Sequence, residues 1–424
     1  MRFEPRPYQQ EATEAGVKHL TIGKGNAFIV IPTGGGKSLI LAGIADRLDG
    51  PVLVFQPSKE ILMQNYHKMR SFGHLPAIFS ASAGKKQVAH ITFAMIGSVI
   101  NNMEAFRGFK HIIVDECHLI GAGKRDKKSV SEDDMGDGNP MYIRFLDYME
   151  RVNGVRPKLL GLTATPYRLG ANRFGAQVKF LNRMAPRVFD KMIYNVQIGE
   201  LQKMGFLAQM EYFRHKGIDV SQLQLNSSGS EYTDASIRAA FQASEMEAKI
   251  VNMVERLLAH GRKSILVFTK FVEEATNVAM LIPGAQMVSG ETPKAERDRI
   301  LEGFKAGAIP VITNCAVLTT GFDHPELDTI VLARPTKSLS LYYQKVGRGM
   351  RPHKNKKSCY VIDMVGLVDQ FGYVENFVIE NDMKGLPIVT GMIPVPGSKP
   401  IRFRKKQLTN TIFVRQESRS YSFH

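Results

Sequence analysis

Tryptophan is absent from this 424-residue chain, and cysteine occurs three times, at Cys117, Cys315 and Cys359. None of these thiols is spaced as C-x-x-C. A four-ligand zinc site of the C-x-x-C kind is therefore excluded, and so sparse a thiol content without paired spacing suits a reducing compartment. Long apolar runs are also missing: Ala27 to Pro32 and Val52 to Phe55 are strand-length, far short of the roughly 20 residues a spanning helix needs. No membrane association and a cytoplasmic location are expected, with no secretory leader. Acids are scarce, at 40 Asp plus Glu against 56 Lys plus Arg, a formal charge of +16. That excess favours a polyanionic partner held through its phosphates, with affinity that falls as salt rises. What is plentiful is apolar material, 44% of residues, enough for two α/β cores in a chain of this length.

The sequence Ile31-Pro-Thr-Gly-Gly-Gly-Lys-Ser38 follows the apolar run Asn26–Ile31 and leads into the helical pattern Leu39–Leu48. A strand, a glycine-rich loop and a helix in that order make a phosphate-binding loop. The glycines 34, 35 and 36 let the backbone turn and aim N–H groups at phosphate oxygens beside Thr33, a further candidate for nucleotide contact, and the helix N-terminus adds partial positive charge. Lys37 would reach the β and γ phosphates, and Ser38 would place its hydroxyl on Mg2+. The strict motif has glycine where this chain has Ile31. Downstream, the apolar run His111–Val114 ends in Asp115 and Glu116, at the edge where a parallel sheet presents its chemistry. Asp115 would hold Mg2+, partly through water, and Glu116 would accept the proton of a water attacking the γ phosphate.

With Cys117 and His118, those acids form Asp-Glu-Cys-His, which resembles the Walker B box of superfamily 2 DExH-type helicases and translocases. The resemblance implies ATP as nucleotide and places further boxes in fixed order from residue 6 to residue 351. Arg6-Pro-Tyr-Gln-Gln10 is similar to the adenine-reading element, with Gln9 on the adenine edge and Arg6 and Tyr8 in support. Pro57-Ser58-Lys59 resembles motif Ia, and Gly97-Ser98 stands where motif Ib touches the nucleic acid backbone. Thr163 and Thr165 resemble motif III, which links the ATP site to nucleic acid. Thr269 and Lys270 match motif IV, and Thr319, Thr320, Gly321 and Asp323 match motif V. Gln344, Arg348 and Arg351 match motif VI, with Gln344 meeting His118 and the two arginines stabilising charge on the γ phosphate. Guanidinium groups suit that role because they make bidentate contacts that lysine cannot.

Within the superfamily the phrases Phe3–Ala12, Val114–His118, Leu162–Gly170 and Ala316–Asp323 look like RadD-type DNA repair helicases, over roughly residues 1 to 365. The cysteine-rich zinc region of those proteins has no counterpart here. The implied activity is ATP-dependent movement on DNA, single-stranded or branched, in repair, recombination or fork processing. RNA helicase, or the motor of a restriction system, is the alternative, and a scaffold with a vestigial ATP site is a third reading.

The expected fold is α/β, two tandem RecA-like domains of parallel sheets flanked by helices: residues 1–205, then 206–365, with a short basic extension over 366–424. A helix over Val196–Gly205 ends the first lobe and Glu211–Arg214 crosses into the second. Ser221–Tyr232 reads as a surface loop and Asp234–His260 as helical. Strands are expected at Ile265–Phe268, Val311–Asn314, Thr329–Ala333 and Cys359–Asp363. The charged stretch Gly121–Pro140 reads as a solvated insertion. The tail Ser398–His424 interleaves Lys399, Arg402, Arg404, Lys405, Lys406, Arg415 and Arg419 with four aromatic residues, a composition that suits single-stranded nucleic acid or a protein partner. A monomer is expected.

Overall fold

The computed structural model describes residues 4–120, 138–172, 175–184, 187–215, 217–318, 322–383, 387–394 and 403–408. Most of the charged stretch 121–140, the residues Thr319, Thr320 and Gly321, and the end of the tail lie outside them. No helix among the described residues is long and apolar enough to cross a membrane.

The first lobe is built on β1 (Ala27–Val30), β2 (Val52–Phe55), β3 (Ala77–Ser80), β4 (Lys85–Lys86), β5 (Ile91–Ala94), β6 (His111–Asp115), β7 (Lys158–Thr163) and β10 (Lys191–Asn195). Its order is β10-β1-β7-β6-β2-β5-β3-β4, parallel throughout except for the short β3–β4 pair. Every residue of β1, β2, β3 and β5 is buried, as expected where helices cover both faces of a parallel sheet. Between β7 and β10 runs an antiparallel hairpin, β8 (Tyr167–Asn172) with β9 (Gly175–Phe180).

The second lobe orders β11 (Gln209–Arg214), β12 (Ile265–Thr269), β13 (Gln286–Val288), β14 (Val311–Cys315), β15 (Thr329–Leu332) and β16 (Ser358–Asp363) as β11-β16-β15-β12-β14-β13, all parallel. Each expected strand of this lobe is present within a residue of its expected ends. Glu211–Arg214 is more than a crossing: it pairs with β16 and forms the sheet edge.

Two local expectations are corrected, and the expected loop gains a definite shape. The helix expected over Val196–Gly205 is the shorter Ile198–Lys203, because Gly205 at φ 71° turns the chain back and Phe206 N–H bonds the Leu201 carbonyl at 2.8 Å. The Asp234–His260 stretch is two helices, Asp234–Ala243 and Met246–Ala259, broken at Glu245 with φ 51°. The Ser221–Tyr232 loop is tied around Asn226, whose Oδ1 accepts the Ser230 N–H at 2.9 Å, and it closes through a bridge between Leu225 and Tyr232.

The C-terminal extension holds an antiparallel sheet of β17 (Val378–Asn381), β18 (Pro387–Pro394) and β19 (Phe403–Gln407). It touches both lobes. Gln197 of the first lobe exchanges two hydrogen bonds with the Ile379 backbone, at 3.0 and 3.3 Å, and Tyr342 of the second donates to the Gly372 carbonyl at 2.8 Å.

Candidate nucleotide site between the lobes

The phosphate loop leaves β1 and turns at Gly34 and Gly36, both at φ 83°, a region that disfavours side chains. Helix α1 (Pro7–Ile22) lies behind it and α2 (Lys37–Asp46) starts at Lys37. At its N-terminus the Leu39 and Ile40 N–H groups bond the Gly36 carbonyl at 2.9 and 3.3 Å, and the first amides of such a helix favour an anion. Lys37 Nζ pairs with the Glu116 carboxylate. Ser38 Oγ donates to Asn65 Oδ1 at 2.6 Å, and Asn65 Nδ2 donates to Asp115 Oδ2 at 2.9 Å and to Gln56 Oε1 at 3.0 Å. Glu116 is held at φ 47° with its N–H on Asp115 Oδ1 at 2.9 Å. Such a strained residue at the end of a strand turns two successive carboxylates into one cleft.

Burial pushes the Asp115 carboxyl up to about 6, against the pull of Lys37. Burial also acts on Glu116, but Lys37 and, less, Arg348 hold its carboxyl below the usual range. The pair is thus divided into one acid poised to be neutralised by a cation and one that stays charged. The donors fit Mg2+: a hydroxyl and a carboxylate, hard oxygens on two elements. No group of three or more His, Cys, Asp or Glu side chains that could cage a metal is found among the described residues.

The opposite wall is α5 (Leu339–Gly347, numbered after α3, Lys59–Ser71, and α4, Val272–Leu281) and the turn Arg348–Met350. Thr33 N–H donates to Tyr343 Oη at 3.4 Å, and a Cβ added at Gly347 would stand 2.8 Å from Thr33 Cβ, so only glycine lets the helix approach the loop. Arg348 and Arg351 both donate to the Phe322 carbonyl, at 2.7 and 3.1 Å, and Arg351 pairs with Asp323 at 2.6 Å. A Cβ added at Gly34 would lie 3.3 Å from Arg351 Cγ, which places this arginine against the phosphate loop. Burial lowers the Arg348 guanidinium to about 9.

His118 and Gln344 meet across the cleft at 3.1 Å, Nε2 to Nε2. Burial lowers His118 to about 3, so the imidazole is neutral and its 3.4 Å approach to Glu116 is no ion pair. Gln344 Nε2 can only donate, so His118 Nε2 accepts and the ring proton sits on Nδ1, where it donates to Thr163 Oγ1 at 2.8 Å. Thr163 Oγ1 also accepts the Thr165 N–H at 3.0 Å.

In the N-terminal element, Tyr8 Oη and Gln9 Nε2 donate to the Gly35 carbonyl at 2.7 and 3.1 Å. Arg6 lies 4.3 Å over the Phe206 ring, and the Tyr8 ring is 5.7 Å from it.

The residues expected to touch nucleic acid are dispersed. Pro57 ends the turn before α3, Ser58 caps that helix through the Ile61 N–H at 3.3 Å, and half-buried Lys59 donates to the Ser82 carbonyl. Gly97 is exposed with open space around it, and Ser98 Oγ accepts the Ala81 N–H at 2.9 Å. Lys270 pairs with Asp234 at 3.0 Å. Thr163, Thr165 and Thr269 are buried. Thr269 is therefore corrected: its hydroxyl is spent on the Asn314 and Phe271 carbonyls, at 3.1 and 3.2 Å, so it supports motif IV from beneath.

Sequence reasoning missed Asn65, Gln64, Phe206, Tyr343 and the Phe322 carbonyl. Asn65 was findable: it is a polar residue on the apolar stripe of Ile61, Leu62 and Met69. Phe206 carries no such mark.

Two family models match the chain. Residues 2–168 match the family described as type III restriction enzyme, res subunit, and residues 248–353 match the helicase conserved C-terminal domain. IRC3 of Saccharomyces cerevisiae is 24% identical over 380 residues, 85% of this chain and 51% of that protein. The DNA 3'-5' translocase XPB2 of Sulfurisphaera tokodaii is 23% identical over 393 residues, 86% and 82% of the two chains. Among solved structures, a fragment described as an HsdR subunit of a type I restriction enzyme from Vibrio vulnificus YJ016 aligns with a TM-score of 0.63 and 22% identity, covering 90% of this chain and 67% of that one. The chain thus spans about half the length of IRC3, and the structural likeness is one of fold.

Proposed function

We propose that this chain, which belongs to the superfamily 2 helicases, is an ATP-driven motor that moves on or remodels DNA. The observation that carries the reading is the contact of His118 with Gln344: the acidic box of one lobe is joined directly to the helix that leads into Arg348 and Arg351 of the other. Lys37 and Glu116 stand on one wall and Arg348 and Arg351 on the other, so a nucleotide bound between them would be gripped from both lobes and closure would depend on its γ phosphate.

When bound, Mg2+ would be held by Ser38 and Asp115 and would neutralise negative charge on the phosphates. Glu116 orients and deprotonates the attacking water once Lys37 has left it for phosphate. The arginines turn from the Phe322 carbonyl and Asp323 toward the charge that develops in transfer. DNA as the track is supported by the formal charge of +16 and by the name of XPB2, a DNA translocase. A role in repair and the RadD-type likeness rest on the quoted sequence phrases.

Steady-state ATP hydrolysis, compared without nucleic acid and with single-stranded DNA, duplex DNA, forked DNA and RNA at one salt concentration, tests the reading. Stimulation by DNA and silence of Lys37→Ala are expected. Stimulation by RNA alone would move the substrate to RNA, and no hydrolysis in any mixture would contradict the motor.

A further inference from the structure

Helix α3 carries an amide that the catalytic scheme does not use. Asn65 is buried at 5% exposure among Ile61, Leu62 and Met69, where an unbonded side-chain amide would be costly. Its Oδ1 accepts the only hydrogen of Ser38 Oγ, and the two Nδ2 hydrogens go to Asp115 Oδ2 and Gln56 Oε1.

We propose that Asn65 is the positioning residue for the divalent cation of the nucleotide site, fixing Ser38 and Asp115 relative to one another before the metal arrives. The inference rests on the nucleotide reading above. Ser38 opens α2 and Asp115 ends β6, so nothing in local backbone geometry sets the hydroxyl against the carboxylate. Asn65 bonds both. With its hydrogen committed to Asn65, Ser38 Oγ keeps both lone pairs for a cation. With Oδ2 bonded to Asn65 and Oδ1 to the Glu116 N–H, the Asp115 carboxylate is locked in rotation while each oxygen retains acceptor capacity.

The neighbouring residue extends the consequence. Gln64 Nε2 donates to Asp323 Oδ2 at 3.3 Å, and Asp323 holds Arg351. One turn of α3 therefore contacts the cation ligands and the second lobe together. Its first turn follows Pro57 and begins at Ser58 and Lys59, the residues expected at nucleic acid.

The test uses the full chain and the fluorescence of a methylanthraniloyl-labelled ADP, titrated with Mg2+ and repeated in excess chelator. Asn65→Ala is expected to raise the half-saturating Mg2+ concentration by about 10-fold or more, with nucleotide affinity in chelator unchanged. In a Ser38→Ala background the same substitution is expected to add less than about twofold, since it acts through Ser38 and Asp115. Asn65→Leu, closer in shape, serves if alanine unfolds the chain. Equal half-saturation in variant and wild type would overturn the inference while leaving the nucleotide reading intact. Binding by wild type that is indifferent to Mg2+ would likewise overturn the inference alone, and absence of labelled-ADP binding by wild type would overturn the nucleotide reading with it.

Discussion

Gln344 Nε2 stands 3.1 Å from His118 Nε2, and the two residues belong to different lobes. Since burial keeps His118 neutral, with a pKa of about 3, the contact persists across ordinary assay pH. Gln344→Glu replaces the donor with an acceptor facing an acceptor. Loss of most DNA stimulation, about 10-fold or more, is expected with nucleotide affinity retained, the size of a typical coupling between sites. The ratio of DNA-stimulated to basal hydrolysis measures it. An unchanged ratio would show that the lobes communicate elsewhere.

Arg351 packs on Gly34 while paired to Asp323. Arg351→Ala should lower turnover by about 10^3-fold and leave nucleotide binding nearly intact, because the arginine serves the transition state. Arg351→Lys should fail to restore turnover, as ammonium cannot offer the same fork of donors. Single-turnover hydrolysis and nucleotide titration, run in parallel, separate the two effects.

Glu116 pairs with Lys37 and is held in its charged form. Glu116→Gln is expected to abolish hydrolysis and to free Lys37 for phosphate, so ATP should be retained longer than by wild type. Slower hydrolysis with weaker ATP retention would contradict the assignment of Glu116 as base.

Glu274 on α4 accepts the Lys270 and Phe271 N–H groups at 3.1 and 3.5 Å, yet burial pushes its carboxyl up to about 8 from 4.5. Between those values the native chain holds a proton that the unfolded chain releases, so stability falls as pH rises through that window. Glu274→Gln removes the slope. Urea denaturation at about pH 5 and about pH 8.5 should show the variant gaining on wild type at the higher pH, and parallel curves would contradict the raised carboxyl.

The two-sheet plan was legible because a parallel sheet writes itself as short runs buried on both faces, such as Ala27–Val30 and Ile265–Thr269. The phosphate loop and acidic box were legible because their chemistry needs fixed spacing along the chain. The RadD-type likeness is a finer statement than the two family matches reach. Other features depend on contacts between segments far apart. Phe206 meets Arg6 across 200 residues, and Gln64 meets Asp323 across 259, neither with any local pattern. The hairpin β8–β9 and the C-terminal sheet escaped because β18 contains two prolines and a glycine, and β19 is basic, both atypical of strands. Thr269 was misplaced because motif spacing gives a position on a strand end, while burial decides which way the hydroxyl points.

The central claim is movement on DNA driven by ATP. Displacement of streptavidin from biotin at either end of single-stranded DNA, together with displacement of a third strand from a DNA triplex, measures that movement directly. Displacement that requires hydrolysable ATP and vanishes in Lys37→Ala is the predicted result. DNA-stimulated hydrolysis with no displacement from any substrate would contradict it.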